Sequence, residues 1–272
     1  MRTSPRDNGL WMTIFVNVLF LGAIGLFVST PNWSTSGIAA LAAAGVVGVV
    51  GGRFSNLRAI RYVGPTRASV FITGTPLVAA VAGWIFLDET LGIVDGLGGA
   101  LVIIGLYILI RSRSTAELLP GSTSAPSPRI GYVYAAAAPA LFGLAFVIRK
   151  WGLRSFDSAV LGALIGAVTA LVLLTLIDAG RGGIRMRLVD NFEELNWWFV
   201  GAGVSISLAL ISQFTAFEFV AAWVVGLLQG TQVLWVMLLS SVFLRTEERI
   251  DLAVVTSVVL VAGGVTLIVA AL

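Results

Sequence analysis

The sequence contains no cysteine and no histidine. Their absence excludes disulfide frameworks, thiol nucleophiles, Cys/His zinc sites and imidazole acid–base chemistry together. Charge is scarce as well: Asp, Glu, Lys and Arg make up 11% of 272 residues, where soluble domains carry about 25%. Long stretches hold no charge at all, which excludes an ordinary soluble enzyme. No G-x-x-x-x-G-K-[ST] loop occurs, so ATP cannot drive the chain by itself. Neither paired catalytic carboxylates nor acidic residues at metal-ligand spacing stand inside the apolar stretches, so neither a metal nor any other cofactor is expected. The net charge of +3 sits at the ends of apolar runs and forms no continuous stripe, so nucleic acid is not an expected partner.

What is present is hydrophobic residue, at 58%. A spanning helix needs roughly 20 mostly apolar residues to cross about 30 Å of hydrocarbon. Nine segments qualify: A at 10–29, B at 36–62, C at 66–87, D at 90–111, E at 130–150, F at 157–178, G at 196–219, H at 221–244 and I at 251–271. The apolar run of A is longer than the roughly 7 to 15 residues of a signal peptide, so A is read as a retained span. The expectation is an all-α polytopic membrane protein with nine transmembrane helices, embedded in the bilayer of the cell membrane. Residues 112–128, rich in Ser, Thr and Pro, form the one clear composition break and divide the chain into 1–111 and 129–272.

Short-loop Lys and Arg fall 14 on the side of the N-terminus against 3, namely Arg149, Lys150 and Arg154, on the other. The positive-inside rule then places the N-terminus and linker in the cytoplasm and the C-terminus outside. An internal repeat is visible too. Ala59-Ile60-Arg61-Tyr62-Val63 aligns with Ala216-Phe217-Glu218-Phe219-Val220 at an offset of 157, while Glu89 meets Glu247 and Gly105 meets Gly263 at 158. Spans A to D therefore correspond to F to I, and E has no partner, because its counterpart would lie before residue 1. Five spans in the complete second unit force successive units into opposite orientation, the inverted-repeat plan of many secondary transporters. Either the chain has nine helices, in a 4 + 5 arrangement, or its true start lies upstream.

Residues 59–70, Ala-Ile-Arg-Tyr-Val-Gly-Pro-Thr-Arg-Ala-Ser-Val, precede Pro76, then Trp84-Ile85-Phe86-Leu87-Asp88-Glu89-Thr90-Leu91 and a Gly-rich D. This series resembles the EamA-type repeat of the drug/metabolite transporter superfamily. The second half echoes it in residues 214–220 and 243–248. The resemblance implies a ten-helix, two-repeat permease that exports or exchanges small metabolites through a cavity reached alternately from each side. The chain departs from that pattern in lacking the first helix, in carrying Gln232 or Val233 where a proline equivalent to Pro76 is usual, and in an arginine excess that puts the linker inside.

An ionisable group well inside a span is expensive and by default marks a pathway or a buried pair. Arg53 follows Gly51 and Gly52 about 17 residues into B, with Ser55 and Asn56 beside it. Two readings stand: an anchor for a carboxylate-bearing substrate, which guanidinium binds bidentately, or an arginine snorkelling to the surface with Arg58 and Arg61. In G, a polar seam is densest from Gln213 to Glu218, and Glu218 is the candidate for coupling transport to protons, against an interfacial carboxylate. Thr73 and Thr75 precede Pro76 in C, while Gln229, Gln232 and Trp235 lie in H; they are candidate substrate contacts, with interhelical bonding as the alternative. Asn17 reads as interhelical glue, Arg149 and Lys150 as interface anchors ending E, and Asp88-Glu89 as a helix-start cap. Gly96, Gly98, Gly99, Gly263 and Gly264 read as packing contacts.

The leading expectation is a secondary carrier for an amino acid, nucleobase or organic acid, with protons as candidate coupling ion and a homodimer left open. The rival is a lipid-handling membrane protein or enzyme whose Arg53, Arg58 and Arg61 hold a lipid phosphate at the cytoplasmic face; a non-transporting membrane scaffold is a third reading.

Overall fold

The computed structural model describes residues 8–28, 33–63, 68, 71–90, 92–114, 128–179, 197–231 and 252–271. Among them there is no strand. The described residues form nine helical elements: α1 (Asn8–Gly25), α2 (Thr35–Val63), α3 (Thr75–Leu87), α4 (Ile93–Ser114), α5 (Pro128–Phe156), α6 (Ala159–Ala179), α7 (Trp197–Phe219), α8 (Ala222–Gly230) and α9 (Leu252–Ala271). They match spans A to I in order. Helices answer the apolar composition because each satisfies its backbone polar groups internally, as hydrocarbon requires. Four of them, Thr35–Val63, Arg129–Phe156, Ala159–Ile177 and Trp197–Phe219, are long and apolar enough to cross a membrane by length and composition.

Several boundaries differ from expectation. α5 continues to Phe156 instead of stopping near residue 150, because Leu153 and Phe156 extend its buried face past the charged Arg149 and Lys150. Span C is broken: residues 73 and 74 form a turn and the regular helix begins at Thr75. Pro76 explains the break, since it has no N–H to offer the carbonyl of Ile72, and the N–H of Leu77 turns instead to Gly74 O at 3.1 Å. Only Ala222–Gly230 of span H is described, and its remainder to 244 lies outside the described residues.

The chain divides into two compact units that do not coincide with the sequence repeats. One contains Met1–Val50 and Ile148–Phe219, the other Gly51–Val147 and Val220–Leu272. The chain passes from one to the other inside two continuous helices, α2 and α5, and at the α7 to α8 turn.

In the first unit α1 packs on α6 and α7, and α2 on α6. Small residues set the closest approaches. A Cβ on Gly45 would collide with the backbone of Gly166, so α2 and α6 meet backbone to backbone. Two interhelical polar contacts secure α1: Ser207 Oγ donates to Asn17 Oδ1 at 2.9 Å, and Trp11 Nε1 donates to Thr175 Oγ1 at 2.9 Å. Asn17 is thus the glue its isolation suggested. The tight α5 to α6 turn runs through Asp157 at φ 50°, after which Ser158 Oγ accepts from the N–H of Leu161 and caps α6.

In the second unit α4 packs closely on α9, and α3 on α8. Gly264 lies against the Gly98 carbonyl and Val102, and Gly99 faces Leu227 and Trp223, but Gly96 and Gly263 have nothing within 4 Å of an added Cβ. Among the described residues those two therefore have no packing partner. The N-terminal part of α5 meets the end of α2 through Ala59, Ala135, Ile60, Val63 and Tyr134, with Tyr62 and Tyr134 stacked at 6.1 Å between centroids.

α3 ends at Asp88 in the left-handed region at φ 56°, and the N–H of Glu89 closes the turn on Gly83 O at 3.2 Å. The buried Glu89 carboxylate then accepts the backbone N–H of Ala222 at 2.9 Å through Oε1 and 3.2 Å through Oε2. Glu89 is a helix-start cap, as its position in a tight turn suggested. The helix it caps is α8, 133 residues away, whose own N-cap residue Ala221 has no capping side chain.

Candidate substrate site

The most irregular stretch of any described helix precedes Arg53. Residues Gly45–Gly52, Gly-Val-Val-Gly-Val-Val-Gly-Gly, wind as a π-helix inside α2. Such segments are rare and recur at functional sites. Glycine permits this one: a Cβ on Gly52 would stand 2.8 Å from the ring of Phe142 on α5, so the backbone there lies directly against an aromatic ring.

Arg53 opens the α-helical remainder of α2. It is half-buried, and among the described residues it has no hydrogen-bond or ion-pair partner. Ser55 is buried and Asn56 half-buried in the following turn. Arg58 takes a different role, with its Cζ 5.1 Å from the centre of the Phe54 ring, a cation–π contact on its own helix.

Helix α5 links Arg53 to the broken span C. Phe142 lies on Gly52, the next residue, Gly143, presses on Val78 and Ala79 of α3, and Phe146 reaches Gly226 of α8. The Arg53 turn, the start of α3 and the middle of α8 therefore flank one short stretch of α5. Thr73 is half-buried in the turn before α3, while Thr75 is buried at its first position. Thr75 Oγ1 and the indole Nε1 of Trp223 are buried polar atoms with no hydrogen-bond partner.

The remaining candidates are distributed as follows. Gln229 is exposed on α8, within the same unit as Arg53, Asn56, Thr73 and Thr75. Gln213 and Glu218 belong to the other unit. Glu218 is exposed next to the end of α7. Gln232 and Trp235 lie outside the described residues.

Gln213 is engaged by a residue that its position in the sequence did not single out. Arg149 Nη1 donates to Gln213 Oε1 at 2.9 Å, and its Cζ lies 5.5 Å from the centre of the Phe214 ring. Arg149 is buried, 9% exposed, so it is not an interface anchor; Trp151 and Arg154 nearby are the exposed members of that cluster. The signal that points to it is the apolar i, i+3 pair Leu153 and Phe156, which carries the helix on past the charges.

A family model described as "EamA-like transporter family" matches residues 2–111 and 129–270. A solved structure described only as "Crystal structure of protein" resembles the chain with a TM-score of 0.72 at 17% identity, over 97% of this chain and 87% of that one. That likeness carries the fold. No curated protein matches the sequence.

Proposed function

The chain belongs to the EamA-like transporter family, whose members are membrane transporters, and on that premise we propose that it is a secondary carrier for a small carboxylate-bearing metabolite. Amino acids and organic acids are the first candidates, with a nucleobase as the uncharged alternative. Two inverted repeats provide alternating access to a site near the midplane, without ATP.

The observation that supports the carboxylate is Arg53. A guanidinium within a span costs about 2.5–3.5 kcal/mol on insertion scales, and no described side chain offsets that cost. An anionic solute does so while bound, through two parallel N–H to oxygen bonds. Phe142 on Gly52 supplies an apolar wall beside it. Protons are the proposed coupling ion, with Glu218, exposed next to the end of α7, as the carboxylate to test.

Counterflow in proteoliposomes tests the reading, with succinate, L-glutamate and uracil as probes. Carrier function predicts saturable exchange of a carboxylate probe, weakened about 10- to 100-fold by Arg53→Ala, the loss expected for a hydrogen-bonded charged group. Arg53→Lys keeps the charge but loses the fork and falls between. Exchange indifferent to Arg53 removes the anchor, and lipid turnover without solute flux favours the rival reading, in which Arg53, Arg58 and Arg61 hold a lipid phosphate.

A further inference from the structure

We propose that Trp223 and Thr75 form a second polar contact of the carrier site, which receives a hydrogen-bond-accepting oxygen of the transported solute. The inference rests on the carrier reading and adds residues of α3 and α8 to it.

Both side chains are more than nine-tenths buried: Trp223 is 4% exposed and Thr75 7%. Each nonetheless keeps one polar atom without a partner, Nε1 of the indole and Oγ1 of the hydroxyl. Buried polar groups are nearly always bonded, and leaving one unpaired costs about 1–3 kcal/mol. Two such atoms on two helices that pack against each other make a concentrated cost that calls for a ligand.

Local structure explains why neither is satisfied from within. A threonine inside a helix ordinarily bonds back to the carbonyl four residues earlier, as Thr169 and Thr175 do at 2.8 and 2.7 Å. Thr75 stands at the first position of α3, just past the turn at residues 73 and 74, so it has no regular helical turn behind it and its hydroxyl makes no such bond. Pro76 holds that break in place.

Trp223 is oriented by its far edge. Its Cζ3 lies 3.8 Å from where a Gly99 Cβ would sit on α4. Cζ3 is para to the ring carbon that bears Nε1, so the N–H edge points away from α4. One turn further along α8, Gly226 touches Pro76 Cα, at 3.5 Å from an added Cβ, and the ring of Phe146 at 3.3 Å. α8 thus meets α3 at the residue adjoining Thr75, beside the stretch of α5 that also carries Phe142 against the Arg53 turn.

The chemistry selects the class of contact. An indole N–H can only donate, and a threonine hydroxyl donates or accepts. A carbonyl, amide or carboxylate oxygen satisfies both donors at once, whereas an ammonium or a purely apolar group leaves the indole unpaired. Arg53 holds the anionic end of such a solute, and this pair fixes a second oxygen, giving selectivity over solutes that lack one.

The test uses the full chain in lipid nanodiscs with 15N-labelled indoles, the Trp223 resonance being assigned with Trp223→Phe. Succinate, L-glutamate and uracil are titrated into wild type, Thr75→Val, Trp223→Phe and Arg53→Ala. The expected result has three parts: a downfield move of the Trp223 indole proton on binding, binding about tenfold weaker in Thr75→Val and Trp223→Phe, and unliganded thermal stability of the isosteric Thr75→Val at or above wild type. Probe binding that is lost in Arg53→Ala but unchanged in both other variants, with a stationary indole resonance, overturns the contact and leaves the carrier standing. A stability loss in Thr75→Val with binding kept assigns the hydroxyl to a structural water and also overturns it. If no probe binds wild type, the carrier reading for these solutes falls and this inference falls with it.

Discussion

The carboxylate of Glu89 and the backbone N–H of Ala222 are bonded at 2.9 Å across 133 residues of sequence. A motif of the first repeat thereby closes the open end of a helix from the second. The geometry combines an N-terminal cap with a negative charge at the positive end of the helix dipole.

Glu89→Ala is expected to destabilise the protein by about 1–2 kcal/mol, the range for loss of a cap. Glu89→Gln, which keeps an acceptor and loses the charge, costs less. Thermal unfolding in detergent separates the two, and equal midpoints for all three proteins would remove the cap.

Arg149→Met leaves the amide of Gln213 with an unmet contact inside the helix bundle and is expected to cost about 1–3 kcal/mol. Adding Gln213→Leu recovers part of that loss, since a buried polar pair replaced on both sides is far better tolerated than one broken on one side. A double-mutant cycle gives the coupling; strictly additive losses would mean the two side chains act independently.

Asn17→Leu and Ser207→Ala probe a smaller effect. Their coupling energy is expected near 0.6 kcal/mol and below about 1.7, the range for interhelical bonds in membranes. A larger value in the same cycle would mean that Asn17 does more than join α1 to α7.

Glycine substitutions separate crowded from open positions. Gly52→Ala drives a methyl into the Phe142 ring and is expected to cost about 1–3 kcal/mol, partly relieved by Phe142→Leu. Gly96→Ala, with nothing among the described residues within 4 Å, is expected to be neutral or stabilising, because alanine is the better helix former. A melting temperature lowered by Gly96→Ala would instead reveal a contact with another molecule at that face.

Glu218→Gln is expected to abolish acceleration of uptake by an imposed proton gradient while leaving exchange at equal pH intact. Gradient-driven uptake that survives the substitution places coupling elsewhere.

Hydropathy made the helices legible because a span is a local property: some 20 apolar residues announce themselves wherever they fold. Arg53 was legible for the same reason, as a lone charge inside such a run. Properties that depend on a distant partner were not. Arg149 looked like the end of a helix because charges usually mark ends, and the short apolar pair Leu153 and Phe156 beyond it gains its weight only once both are seen to be buried. Gly96 and Gly99 are indistinguishable in sequence, yet among the described residues one meets nothing within 4 Å and the other faces Trp223 and Leu227. Trp223 stood out in sequence only as a tryptophan flanking the polar residues of span H, since an orphaned N–H is a fact about its surroundings.

The π-helical stretch Gly45–Gly52 has a geometric corollary. Its bonds reach one residue further than α-helical ones, so each turn takes up more chain and the helix beyond it is phased differently around the axis. Arg53 is the first residue beyond it, so the phase at which this one segment ends sets where its Cα stands on the circumference of α2.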